Sequence, residues 1–210
     1  MYAGLADLRA GARLDLARVT LVQLDEYVGV ADDARCCLFG WLLRDVARTL
    51  GFDADRVLRL SGDAPDPAAE AERHDRAIVA AGGIDVSILG LGPNGHLGFN
   101  EPPCGPDAPT RVVDLSEASL VSNARYWGSR EAVPLRAITV GMDRLLAARR
   151  TMLVVRGSAK REILRRVVAE PMSDDVPASF LRSRPGVTLL ADTDAWPDDV
   201  PVPADEAVAA

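Results

Sequence analysis

Apolar, β-branched runs alternate with stretches of helical periodicity along most of this chain, and few architectures accommodate that alternation. "RVTLVQL" (residues 18–24) reads as a strand, and "DDARCCLFGWLLRDVARTL" (32–50) as a long amphipathic helix with Asp32 as its N-cap. A second helix begins near Asp66 and Pro67, with acidic residues in its first turn, and ends at Gly82 and Gly83. "IDVSILGL" (84–91) is nearly continuous in apolar residues, which predicts a strand covered on both faces. "LRAITVGM" (135–142) and "TMLVVRG" (151–157) repeat that pattern; a helix follows in "SAKREILRRVVAE", and "GVTLLAD" (186–192) closes the series. The expectation is an α/β fold of the Rossmann-like, three-layer kind, with a mostly parallel sheet and helices on both faces. Residues 1–195 read as one domain, and the Pro- and Asp-rich stretch 196–210 as a loosely held tail.

Composition removes several functions. The 210 residues carry a net charge of −7, which opposes a nucleic-acid surface. No apolar run is long enough to span a bilayer and no secretory leader opens the chain, so the expected location is cytoplasmic. Cys36, Cys37 and Cys104 are too few and too oddly spaced for a disulfide framework and read as buried or incidental thiols. With two histidines, and His74 expected on a helix surface, no metal cluster is predicted.

Ligands of open parallel sheets sit beyond the carboxyl ends of the strands, which singles out three loops. "LDEYVGV" places Asp25 and Glu26 at a strand end, where neighbours point to opposite faces, so at most one enters a given cleft. A solvated acidic turn and a proton-abstracting carboxylate both fit that pair. "GLGPNGHLGFNEP" (90–102) has glycines that let a ligand approach the backbone and an Asn94-Gly95 turn that exposes His96. Glu101 lies five residues on, within reach to orient the imidazole; a structural turn with a solvent-facing histidine is the competing reading. "RGSAKRE" puts Ser158 at a helix N-cap, with Lys160, the sole lysine of the chain, and Arg161 in the first turn. Cations there oppose the helix dipole. A bound anion would resolve the conflict; a solvated lysine, tolerated at a few tenths of a kcal/mol, is the alternative. Arg125, in "SNARYW" at a helix end, is a second anchor for such an anion, and Trp127 beside it is expected to pack.

"LDEYVGV", "GLGPNGHLGFNEP", "SNARYW", "ITVGM" and "VVRGSAKRE", in this order and spacing, resemble the glucosamine-6-phosphate deaminases from about residue 1 to residue 192. The related 6-phosphogluconolactonases share the fold and a Gly-x-His loop, but "FNEP" is not expected in them. The resemblance implies a hydrolase of the amino-sugar isomerase and deaminase type, without cofactor or metal, acting on a small sugar phosphate and on neither nucleic acid nor membrane. It leaves a homo-oligomer open. It implies Asp25 as the base that carries a proton between C2 and C1, His96 as the ring-opening group, Glu101 as its orienting carboxylate, and Arg125 and Lys160 as phosphate anchors. Asn94 stands where some members of the family have an aspartate, which shifts weight onto Glu101. The family also begins with a strand and a phosphate-gripping loop that "MYAGLADLRAG" does not match, so an N-terminally truncated version is expected. A lactonase-like enzyme, a deaminase of another amino-sugar phosphate and a shortened, non-catalytic sugar-phosphate binder are the alternatives.

Overall fold

The computed structural model describes residues 2–11, 15–32 and 34–202. Five of its eight strands pair in parallel, as the alternation predicts. β1 (Leu21–Val22) pairs with β3 (Val57–Leu58). β4 (Val86–Gly90), β7 (Arg150–Val155) and β8 (Val187–Ala191) form a sheet in the order 4-7-8. The remaining strands form an antiparallel sheet in which β6 (Arg136–Thr139) lies between β2 (Asp25–Tyr27) and β5 (Arg111–Asp114). The run at 135–142, expected to join the parallel series, thus belongs to a different sheet. β3 is only two residues long and β5 is short and mixed in polarity, and the periodicity of the sequence does not reveal them.

Helix α1 (Tyr2–Ala10) precedes the strands, and later helices close the larger core. Leu89 of β4 and Leu153 and Val155 of β7 pack with Ile78 of α4 (Pro67–Ala80), with Met142 and Leu145 of α6 (Met142–Leu146), and with Ile163, Leu164 and Val167 of α7 (Arg161–Ala169). The opposite face of this sheet is open among the described residues: Val86 is 55% and Ile88 36% exposed, alternating with buried Ser87 and Leu89. Coverage on both faces, predicted for 84–91, is therefore not what β4 has. α4 begins as expected, with the Asp66 carboxylate accepting from the amides of Ala68 and Ala69. His74 on this helix is fully buried, not on the surface; its Nε2 lies 2.9 Å from the Gln23 carbonyl, and burial pushes its pKa down. Among the described residues, no helix is long and apolar enough to cross a membrane.

The helix expected over 32–50 starts later. α2 (Leu38–Trp41) runs into a π-helical stretch (Leu42–Ala47) and ends in α3 (Arg48–Leu50) at Gly51, where φ is +66°. Cys37 is the N-cap, and Asp32 pairs with Arg59 instead. The start is fixed from outside the helix, because the amides of Leu38 and Phe39 both donate to the buried Glu26 carboxylate. The segment expected to trail from residue 196 is held at its beginning: Trp196 packs on the larger core and donates Nε1–H to the Val200 carbonyl, and Arg161 pairs with Asp198. Residues 203–210 of that expected tail lie outside the described residues.

One strut connects the sheets to the loop after β4. Asp25 is in register with Thr139 across the β2–β6 pair. The Thr139 hydroxyl accepts the Phe99 N–H at 3.1 Å, and the Asn100 amide donates to the carbonyls of Leu97 and Val140, each at 2.9 Å. The Val140 N–H donates to Leu24, next to Asp25. Gly98, at φ +61°, is required here, since a Cβ would come within 2.8 Å of the Thr139 oxygen. Replacing Thr139 by Val keeps the volume but leaves the buried Phe99 N–H unpaired, so Thr139→Val is expected to lower stability by about 1–3 kcal/mol in urea unfolding, with Thr139→Ser losing less. An unchanged midpoint in the Val variant would contradict the strut.

Candidate active site

The loop from Leu91 to Pro102 places a histidine and a carboxylate against each other at the carboxyl end of β4. His96 Nδ1 lies 3.3 Å from Glu101 Oε2 and 3.5 Å from the Ser119 hydroxyl. With a carboxylate as partner, the consistent tautomer carries its proton on Nδ1 and leaves Nε2 unprotonated. Nε2 has no protein partner among the described residues. The imidazole lies directly over Gly92, where a Cβ would fall 2.1 Å from His96 Cδ2. Gly95, at φ +86°, turns the chain between them, and its carbonyl accepts the Ala178 N–H.

Glu101 is the centre of the network. It accepts from the Asn94 amide at 2.7 Å and the Ser116 hydroxyl at 2.8 Å as well as from His96. Burial alone would raise its pKa; the hydrogen bonds it accepts, those from His96 and Asn94 among them, outweigh that and lower it to about 2. Asn94 thus acts on the carboxylate by donating its N–H, while its oxygen accepts from the His96 backbone N–H at 3.4 Å. It does not act as the imidazole acceptor that a shared hydrogen bond would require. Ser116 also caps α5 (Glu117–Trp127), accepting from the Ser119 N–H. Neither serine was singled out from sequence, although a serine one residue before an acidic helix start is an N-cap signal.

Asp25 has the opposite environment. Its carboxyl has no hydrogen-bond donor among the described residues, and burial, then the neighbouring Glu26 charge, raise its pKa to about 7. Glu26 points the other way and is 1% exposed. The two carboxylates therefore separate as alternation along a strand requires. Tyr27, two residues after Asp25, packs with its ring centroid 5.2 Å from that of Phe99 of the loop, tilted, and 5.2 Å from that of Trp127 of α5, edge-on, so the three segments share one aromatic cluster. Trp127 packs, as expected.

The cations lie at two helix ends. Arg125 is in the last turn of α5, exposed and laid over the Tyr126 ring. Lys160 is half-buried; desolvation, then the Arg125 charge, lower its pKa. Ser158 does not cap a helix with its side chain. Residues Ser158–Lys160 form a 3-10 turn after Gly157, at φ +87°, and α7 begins at Arg161. Arg161 turns away from Lys160 to the Asp194 carbonyl and Asp198.

Residues 1–190 match the family model of glucosamine-6-phosphate isomerases and 6-phosphogluconolactonases. A glucosamine-6-phosphate deaminase of Rhodopirellula baltica is 40% identical over 179 residues, covering 85% of this chain and 71% of the relative. One from Halothermothrix orenii is 36% identical, covering 93% and 81%. The solved structure of a monomeric glucosamine-6-phosphate deaminase superposes with a TM-score of 0.89 at 34% identity, over 92% of this chain and 80% of that one. A 6-phosphogluconolactonase of Thermotoga maritima gives 0.69 at 20% identity and shares the fold.

The site geometry makes two predictions. Gly92→Ala is expected to leave the chain folded while pushing the imidazole off Glu101, read as loss of the protonated Nδ1 signature of His96 in nitrogen NMR; a ring that keeps it would contradict the cradle. Glu101, with its pKa lowered from the ordinary 4.5 to about 2, adds stability that is fully present above about pH 4.5 and lost as the pH falls toward 2. The stability difference between wild type and Glu101→Gln is therefore expected to be constant above pH 5 and to shrink below 4.5; a difference independent of pH would contradict it.

Proposed function

Because the chain belongs to the family of glucosamine-6-phosphate isomerases and 6-phosphogluconolactonases, we propose that it converts glucosamine 6-phosphate and water into fructose 6-phosphate and ammonia. The observation that carries this reading is the pairing of a partnerless carboxyl, Asp25, whose pKa of about 7 suits proton abstraction near neutrality, with a His96–Glu101 couple held on the neighbouring loop. Lactone hydrolysis needs no base for a C–H proton. The deaminase reading is also favoured by identities of 36–40% to curated deaminases.

In this proposal His96 moves the proton that opens the pyranose ring, using its unprotonated Nε2, while Glu101 stabilises the charged imidazole. The open aldehyde acidifies the C2–H bond, and Asp25 takes that proton to give an enolamine. Returning the proton to C1 leaves a C2 imine, which water hydrolyses to the ketone with release of ammonia. The first half is an isomerisation; water enters only at the imine, the sense in which the reaction is hydrolytic. Arg125 and Lys160 hold the phosphate, whose charge relieves the repulsion between the two cations. Each step uses side chains of this chain.

The test is simultaneous measurement of ammonia and fructose 6-phosphate from glucosamine 6-phosphate, with galactosamine 6-phosphate and 6-phosphogluconolactone in parallel. Equimolar products are expected. A thermal shift on binding without ammonia would favour the non-catalytic binder. In the free enzyme kcat/KM is expected to fall about tenfold per pH unit below about 7, because the base must be unprotonated. Asp25→Asn is expected to lose about a hundredfold or more. Glu101→Gln is expected to slow turnover at least tenfold, about 1.4 kcal/mol of barrier. Lys160→Met is expected to act mainly on KM.

A further inference from the structure

Glu26 is a buried carboxyl that the proposed reaction does not use. It is 1% exposed, yet no cation pairs with it among the described residues. Five donors converge on its carboxylate. Oε1 accepts the backbone N–H of Tyr27 at 3.0 Å and of Leu38 at 3.1 Å. Oε2 accepts the Phe39 N–H at 2.8 Å, the Gln23 amide at 3.1 Å and the Cys37 thiol at 3.3 Å. Its five hydrogen-bond partners among the described residues are all donors, and a carboxylate is the form that accepts from all of them. Three are backbone amides, two of them from the first turn of α2, so the negative charge is fixed in position by the strand and the helix together.

That charge sits one residue from Asp25. We propose that Glu26 is a positioning residue that acts through Asp25: its carboxylate, clamped by five donors one residue from the base, makes a second negative charge there harder to form, so Asp25 keeps its proton to a higher pH than burial alone would give. This rests on Asp25 being the base of the proposed reaction. A helix cap alone could have been a serine or asparagine, which bring no charge. A full carboxylate inside the core disfavours a second negative charge nearby.

The other groups around the pair do not cancel that charge. On β2 the Tyr27 phenol is neutral until well above neutrality, since burial raises its pKa. From α2 the Cys37 thiol is likewise raised, to about 11. On β6 Arg136 is exposed, and on β5 Arg111 turns to Asn100, Cys104 and the Pro109 carbonyl. In the loop, Glu101 is engaged with His96, Asn94 and Ser116.

The experiment is a carbon NMR titration of the Asp25 carboxyl in wild type and Glu26→Gln, run beside the pH profile of kcat/KM. The expected result is a midpoint lower by on the order of one pH unit in the Gln variant, with the acid limb of the profile moving equally. An unchanged midpoint in a folded Gln variant of lower thermal stability would overturn the proposal and leave Glu26 a cap only. A midpoint that moves while the kinetic limb does not would uphold the electrostatic coupling and overturn Asp25 as the base, so the two failures are told apart. Should Glu26→Gln not fold, Glu26→Asp keeps the charge on a shorter arm. Its Asp25 midpoint is expected within about 0.3 units of wild type despite weaker capping, and a drop of a full unit would overturn the proposal.

Discussion

The register of β2 against β6 is the constraint on which the site depends. It sets Asp25 opposite Thr139, and the Thr139 hydroxyl holds the Phe99 N–H, so the strand that bears one acid and the loop that bears the other are fixed to the same residue. A slip of one position would exchange the faces of the strand on which Asp25 and Glu26 lie. Glu26 opposes that slip, because its five hydrogen bonds to β2, Gln23 and the start of α2 can form in only one register. The Asn100 amide adds two more bonds to Leu97 and Val140, and the loop follows the sheet as a rigid extension.

Two carboxyls held this way acquire opposite character. Glu101 accepts three side-chain hydrogen bonds and is pushed to about 2; Asp25 has burial and a negative neighbour, and is pushed to about 7. Titratable groups whose surroundings drive their proton affinities apart are the pattern that divides acid, base and orienting roles within one site. The cations follow the same logic. Lys160 is held below the ordinary lysine pKa by desolvation and then by the Arg125 charge, and the sugar phosphate of the proposed reaction would offset the second of these.

Much of this was legible from residues alone. The helix at Pro67–Ala80, the strand at Val86–Gly90 and the helix ending with Arg125 follow from caps, apolar runs and glycine stops. What escaped has physical reasons. The start of α2 is decided by Glu26, an acceptor distant in sequence, so Asp32 looked like the better cap. β6 reads like the strands of the parallel sheet because residues 135–142 form a comparable apolar run, and such a run carries no information about strand direction. His74 reads as one more polar residue of a mostly polar helix, and its burial, with the Gln23 carbonyl 2.9 Å from Nε2, depends on a partner distant in sequence. Ser116, Ser119 and Thr139 are ordinary small polar residues until the fold gathers them around Glu101 and Phe99. The pairing of His96 with Glu101 was visible because five residues of glycine-containing loop suffice to close it.

The central claim is that Asp25 removes the C2 proton of an amino-sugar phosphate. Turnover of glucosamine 6-phosphate deuterated at C2, compared with the unlabelled sugar in wild type and Asp25→Asn, tests it most directly. A slower rate with deuterium in the wild type, together with loss of ammonia release in the Asn variant, is the predicted result. Ammonia released by Asp25→Asn at the wild-type rate would contradict it.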